Sequence, residues 1–449
     1  MKRFSSISIA LVSLACAMAV AAATRPHYGG TLRVAVADSP QSFDPASADS
    51  PALRSLSQLA FETLVKFDSR GRLEPLLAST WQVEPGNQRW RFQVRGGVLL
   101  SDGTPLDANT TAASLRASNP QWKVFALGDL VMIETDAPDA SVPAELALAR
   151  NSIARRNSDG SLTGTGPFTV AKWDAAAKHM TLAANDQYWA GRPFIDSVEV
   201  DFGKSYRDQL MALDLGKSDL VEIAPEAIRA ALAGNRAVLA SQPEELLALV
   251  FSHDVQSNAE MRLRTALSSA IDRPSLSNVV FQGGGEPTGA LLPNWLTGYG
   301  FVFSIGGGSR ERGLQQRASL TLSYDVADPL ARILADRILL NAKDAGIVLQ
   351  ATNGDNADMR LARIQLPSLN PQLVLIELAR KYQLSAPTFA DASIAAEYSA
   401  ENTMLQTRRI IPLLHLRSGV AIRSNVHAVA VSPDGTWDLS GSWLSPETP

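Results

Sequence analysis

Between Ser319 and Leu349 the hydrophobic period changes twice, and that change limits the folds open to this chain. Ser319 to Tyr324 alternates apolar and polar residues, as a strand does. Leu330 to Ala345 then repeats at helical spacing and stops at Gly346, where glycine tolerates the left-handed conformation that ends helices. Ile347, Val348 and Leu349 resume as a strand. Strand, helix and strand in that order make a βαβ unit, which calls for a mixed α/β architecture.

Other segments carry the same mixture. Gly30 to Ala37 alternates and is broken by Ser39-Pro40 and Phe43-Asp44-Pro45. Leu53 to Val65 has helical spacing, and Trp90 to Arg95 alternates before turning at Gly96-Gly97. Asp102-Gly103-Thr104-Pro105 supplies tight-turn chemistry, and Asp107, Asn109 and Thr110 are candidate caps for the helix through Ala112 and Leu115. Thr169 to Trp173 and Val420 to Val431 read as further strands. At roughly 150 residues per domain, 449 residues imply two or three.

The N-terminus points to export. Lys2 and Arg3 precede an apolar run from Ile7 to about Ala23 that ends in Ala21-Ala22-Ala23, the pattern of a cleavable signal. Cys16 raises a lipoprotein signal, but Ser13 stands where such a signal carries leucine, so anchoring there is not expected. Cys16 is also the only cysteine, leaving the exported chain no disulfide and no thiolate metal site. Without Lys2 and Arg3 the chain has 39 basic against 45 acidic side chains, a mild acidity that gives nucleic acid and anionic membrane no purchase. The five histidines have no close spacing, so no metal site or cofactor is expected.

Two blocks, Leu73 to Ser114 and Gly164 to Val200, resemble the family 5 extracellular solute-binding proteins, which feed peptides, nickel chelates or related solutes to ABC importers. Asn185, Tyr188 and Trp189 match the family's N-x-x-Y-W signature, and Phe43-Asp44-Pro45 is a variant of its LDP-like triplet. Met261 to Arg273 (MRLRTALSSAIDR) resembles the helix that opens the C-terminal lobe. Gly283 to Pro287 with Leu291-Leu292-Pro293, and the Ile410 to His415 strand, follow in the family's order. The resemblance implies an α/β, two-lobed periplasmic-binding-protein-like fold (type II, cluster C-like). Its extra domain would be reduced, because the interval from Ser118 to Arg156 is short. The implied division is 1–23 signal peptide; 24–50, 160–249 and 420–449 N-terminal lobe; 51–159 second domain; and 250–419 C-terminal lobe.

Several motifs have structural readings. Gly164-Thr165-Gly166-Pro167 lacks the Lys-Ser or Lys-Thr pair and the following helix of a phosphate loop, so a turn back into a sheet is expected. Asn185, Tyr188 and Trp189 are expected to pack rather than touch ligand. Arg262, Arg264 and Arg273 read as a solvated face around apolar Met261, Leu263, Leu267 and Ile271.

Departures from the family bear on the ligand. Peptide-binding members carry W-x-x-D-Y-x-[DE]-P, whose Asp meets the peptide's α-ammonium group. Aligned on Pro387, Arg380 stands for that Trp and Gln383 for that Asp. A neutral amide cannot replace the carboxylate a buried ammonium needs. Arg380 and Lys381 would suit a carboxylate or phosphate instead. If the alignment is shifted, Asp391 or Glu377 takes the role. The resemblance also places Gln41, Ser42 and Phe43 in the loop facing the cleft, and Ser252 and His253 at the end of a crossing strand. Tyr382 adds an aromatic ring with a polar tip, equally suited to ligand or core. The implied function is a periplasmic, monomeric receptor that hands a peptide-like or other polar solute to an ABC permease. The alternative is a diverged receptor that senses or scaffolds. No G-x-S-x-G, H-E-x-x-H or paired-carboxylate motif supports an enzyme.

Overall fold

The computed structural model describes residues 25–233, 236–305, 319–354 and 356–446. The expected signal peptide, residues 1–23 with Cys16, lies outside the described residues. The first elements among the described residues are strand β1 (Thr31–Ala35) and helix α1 (Pro51–Ala60), whose N-cap Ser50 accepts from the Leu53 N–H. Four short antiparallel strands follow, β2 (Ala78–Val83), β3 (Arg89–Val94), β4 (Lys123–Leu127) and β5 (Leu130–Glu134), in the order β2-β3-β5-β4. Helix α2 (Ala108–Ser118) packs on them, started by Asp107 accepting from the Thr110 N–H.

The chain then supplies β6 (Phe168–Asp174), β7 (His179–Ala184), β8 (Ser197–Asp201), α3 (Tyr206–Asp214) and β9 (Leu220–Ile223). Next come the long strand β10 (Ala237–Phe251) and α4 (Asn258–Ala270), capped by Ser257. The βαβ unit follows as β11 (Ser319–Ser323), α5 (Ala331–Asp344) and β12 (Val348–Thr352). β13 (Met359–Gln365), α6 (Pro371–Lys381), α7 (Ile394–Gln406) and β14 (Ile410–Ile422) lead back towards β1. β11 and β12 pair in parallel, and Leu334, Ala335, Ile338 and Ala342 of α5 are buried against them, as the change of period requires.

One sheet runs through the molecule in the order β6-β7-β8-β1-β9-β14-β10-β13-β11-β12. Only β10 and β14 are long enough to reach both halves. β14 pairs with β9 through Val420 and Ala421 at one end, and with β10 through Ile410 at the other. β10 tolerates Pro243 because the register slips on both sides of it. The fold is therefore α/β and two-lobed, with β2 to β5 as a small added sheet.

Packing divides differently from the sequence boundaries in two places. Ala52, Leu56 and Leu59 of α1 pack in the core of the first half with Leu32, Val34 and Val198, so α1 belongs there rather than to the second domain. Leu246 to Leu249 already lie in the cores of the C-terminal half, several residues before 250. The helix read from Leu53 to Val65 ends at Ala60, because Phe61 turns extended and Val65 joins a short strand. The single strand read over Val420 to Val431 is broken, with β14 ending at Ile422.

The arginines in and just after α4 correct another expectation. Only Arg262 is exposed, and Arg264 and Arg273 are 0% and 1% exposed. Arg264 lies one turn before Leu267, so its side chain shares the inward face. Its guanidinium stands 4.0 Å from the centre of the Phe251 ring and binds Glu260 and the His253 carbonyl. Arg273 satisfies itself on the carbonyls of Pro412, Ser268 and Ile305 at 2.8, 2.8 and 2.6 Å.

Tyr188, Trp189 and Thr165 converge on one carboxylate. Glu62, 5% exposed, accepts from the Tyr188 hydroxyl at 2.8 Å, Trp189 Nε1 at 2.9 Å and Thr165 Oγ1 at 2.8 Å. Asn185 donates to the Gly166 carbonyl at 3.0 Å. The signature residues gather on Glu62 beside the turn, and the Gly166 amide is committed to the Ala60 carbonyl.

Candidate functional site

Three cavities adjoin where β10 and β14 pass between the halves, beside β13. The largest, about 830 Å³, lies along β13 from Met359 to Arg363, under Tyr324 to Asp328 and beside Lys381 to Gln383. A second, about 220 Å³, is walled by Asp38, Tyr206 and Glu222 from the first half, by Glu245 of β10 and by Arg363 and Gln365 of β13. The third, about 370 Å³, lies between Pro45 to Asp49, Leu148 to Arg150 and the α6 residues Glu377 to Lys381. Arg363 is shared by the first two, Gln365 by the last two, and Lys381 by the first and third. Together they form one groove with walls from both lobes and the second domain.

The groove is strongly charged. Arg363 is its central cation: it binds Glu245 and stands 3.5 Å from Asp328, while Gln365 Nε2 donates to the other Glu245 oxygen at 2.6 Å. The Glu245 and Asp328 carboxylates outweigh burial and hold the Arg363 guanidinium charged. Glu222 faces the same cavity. Its carboxylate accepts from the Ala37 N–H and from Gln209 Nε2, yet burial, with Asp38 adding, pushes its pKa up to about 7. Asp38, which accepts from Ser50 Oγ, is raised by burial too, and burial raises the Tyr206 hydroxyl.

Of the residues singled out from sequence, Ser252, Tyr382 and Gln383 line the largest cavity. Ser252 Oγ donates to the Asp358 carbonyl at 3.1 Å, and burial pushes the Tyr382 phenol up to about 12. Gln383 follows the end of α6, exposed and with φ at 53°. Arg380 lines the third cavity, but its guanidinium is held by Glu377 at 2.6 Å. Glu377 also binds Arg150 at 3.0 Å, and so is committed to two cations. Asp391 sits on the surface, capping the Ser393 N–H.

The remaining residues lie elsewhere. Gln41 and Ser42 are exposed and wall none of the three cavities. Phe43 packs its ring on Phe61 and Trp173 at 5.9 and 6.2 Å, where an aromatic side chain gains more than at a wet cleft wall. His253 is exposed, with Nδ1 at 2.8 Å from the Asp254 carbonyl oxygen, beyond the end of β10. Asp38, Tyr206, Glu222, Glu245, Arg363 and Arg409 were missed. The only sequence signal for them was position: Asp38 follows β1, and Glu222 sits in the polar phase of β9. The histidines do not converge: His27 and His427 flank Trp443, and His415, buried under the Leu291 carbonyl, is pushed down to about 4. Among the described residues no group of three or more His, Cys, Asp or Glu could hold a metal ion.

Comparison with known proteins gives these shapes a context. Residues 72–363, more than half of the chain, match the family described as "Bacterial extracellular solute-binding proteins, family 5 Middle". The chain is 33% identical over 158 residues to the uncharacterized protein YhjP of Bacillus subtilis (strain 168), covering 32% of this chain and 27% of that protein. It is 21% identical over 399 residues to the probable D,D-dipeptide-binding periplasmic protein DdpA of Escherichia coli (strain K12), covering 80% and 77%. In three dimensions it is similar to AgaA from A. tumefaciens R10 in complex with agropinic acid. That match has a TM-score of 0.78 at 16% identity and covers 93% of this chain and 99% of that one.

Proposed function

The chain belongs to the bacterial extracellular solute-binding proteins of family 5, and on that premise we propose that it is a periplasmic receptor. It captures a peptide-like or other polar solute in the groove and hands it to the permease of an ABC importer. The observation that carries this reading is the walling of one groove by both lobes, with β10 and β14 as the sheet strands that cross between them. Closing about β10 and β14 would bury a ligand on all sides, the form a permease can distinguish from the open one. Binding without chemistry, action as a monomer and export by a cleaved leader belong to the same proposal. Among the described residues no helix is long and apolar enough to cross a membrane. The solutes that DdpA and AgaA are named with, a D,D-dipeptide and agropinic acid, set the scale of ligand to try.

Thermal unfolding against peptides, amino acids, opines, sugars and metal chelates tests this. A ligand at about 100 times its dissociation constant should add roughly 2.7 kcal/mol of stability. A cognate solute should also make the protein more compact in small-angle scattering. Silence across such a library from a well-folded sample would overturn the receptor reading.

A further inference from the structure

Arg409 is the odd member of the buried arginines. It immediately precedes β14, pinned where its carbonyl accepts the Phe251 N–H at 2.9 Å, and it is 8% exposed. Arg264 and Arg273, more deeply enclosed at 0% and 1%, hold carbonyl and carboxylate oxygens through their guanidinium groups, although the Arg264 Nε also lacks a partner. Among the described residues the Arg409 guanidinium makes no hydrogen bond at all. Its Nε is enclosed without a partner, and its nearest carboxylate, the exposed Asp254, is 3.9 Å from Nη1. A cation taken out of water is stabilised by pairing and hydrogen bonding, and the Arg409 guanidinium still has donors to offer here.

Arg409 lines the 830 Å³ cavity, and the other charges there point the same way. Asp328 is committed to Arg363 and to the Leu330 N–H, and Asp325 to the Ala327 N–H at 2.9 Å. Arg360 and Lys381, both exposed, have no hydrogen bond or ion pair among the described residues. The uncommitted charge of the cavity is therefore positive. The cavity also reaches Ser323 and Asn353, at and just past the carboxyl ends of parallel strands β11 and β12, where open α/β sheets hold their ligands.

We infer that the solute carries an oxyanion, a carboxylate or a phosphate, and that the Arg409 guanidinium receives it, with Arg360 as a second cation on the same cavity wall. This rests on the receptor reading and narrows it. A planar fork of N–H donors matches a carboxylate in two parallel hydrogen bonds, which a lysine could not supply.

The test is binding by calorimetry and thermal unfolding of the parent protein, Arg409→Gln, Arg409→Lys and Arg360→Gln. The probes are free and C-amidated dipeptides, succinate, citrate, inorganic phosphate and sugar phosphates, with neutral sugars and amines alongside. Free acids or phosphates should bind and amidated partners should not, and which group binds tells carboxylate from phosphate. Arg409→Gln should weaken that binding ten-fold or more, Arg409→Lys should restore only part of it, and Arg360→Gln should have the smaller effect. The ligand-free Arg409→Gln protein should melt no lower than the parent, since it loses an unpaired cation. A lower melting temperature would mark a structural arginine and overturn the inference, as would oxyanion binding unchanged in Arg409→Gln. Binding confined to neutral or cationic solutes would overturn it while the receptor reading stands. No binding by any probe would overturn both.

Discussion

Alanine at position 166 should cost the protein about 4 kcal/mol of folding stability, the summed effect of a backbone overlap and the hydrogen bonds it displaces. A Cβ on Gly166 would stand 2.4 Å from the Leu59 carbonyl oxygen and 2.7 Å from the Ala60 carbonyl carbon. Both are main-chain atoms at the end of α1, so no side chain can swing aside. Moving the two segments apart breaks the Gly166 N–H to Ala60 carbonyl bond at 3.0 Å and disturbs the Asn185 bond to the Gly166 carbonyl. It also pulls Thr165 from the Glu62 carboxylate, which would leave buried polar groups unpaired. Domains are stable by only about 5–15 kcal/mol, so much of that margin would go. Urea unfolding of Gly166→Ala beside Gly441→Ala measures the effect. Gly441 is the control, because its added Cβ would meet nothing within 4 Å. A Gly166→Ala midpoint equal to that of the control would refute the close approach.

The glycines of that turn and the cap at Asp107 illustrate what could be read from sequence. Local chemistry was legible: the βαβ unit needs only a change of period, and the end of α5 needs only Gly346, whose φ is 81°. The inward turn of Arg264 was legible in principle, since it shares a helix face with Leu267, but an arginine's charge argues against burial until Phe251 is known to lie opposite. Arg409 gave no such sign. Its enclosure follows from the pairing of β10 with β14 across some 160 positions of sequence, and no local pattern records that pairing. The groove is hidden for the same reason. Asp38, Glu222, Glu245 and Arg363 sit in four separate strands or strand ends, and only the sheet order brings them to one cavity. The loop from Gln41 to Phe43 shows the opposite error: an aromatic ring placed at a cleft by resemblance was instead claimed by Phe61 and Trp173.

Glu222 should make the stability of the parent protein fall as pH rises from about 4.5 to 7, and Glu222→Gln should remove that part of the fall. The carboxyl has an ordinary value of 4.5 and is raised to about 7 by burial first and by Asp38 second. Below 4.5 it is protonated in both folded and unfolded chains, and its contribution is fully present. As pH rises, the unfolded chain releases its proton first, while the folded chain keeps its own until about 7. Stability is therefore lost at up to about 1.4 kcal/mol per pH unit, roughly 3 kcal/mol in all, and the loss stops above 7. Glutamine keeps an acceptor for the Ala37 N–H and has no proton to lose. Glu401, also raised to about 7 by burial, and Glu244, raised by burial as well, contribute slopes of the same sign. The decisive quantity is thus the difference between the two proteins, measured by urea unfolding at half-unit steps from pH 4.5 to 8.5. The curves should coincide at the acid end and separate to about 3 kcal/mol by neutrality, with Glu222→Gln the more stable. Parallel curves would mean that Glu222 titrates as a solvated carboxyl. The cavity between Asp38, Tyr206, Glu245 and Arg363 would then be wet and open at rest, and the carboxyl would be desolvated only when the lobes close.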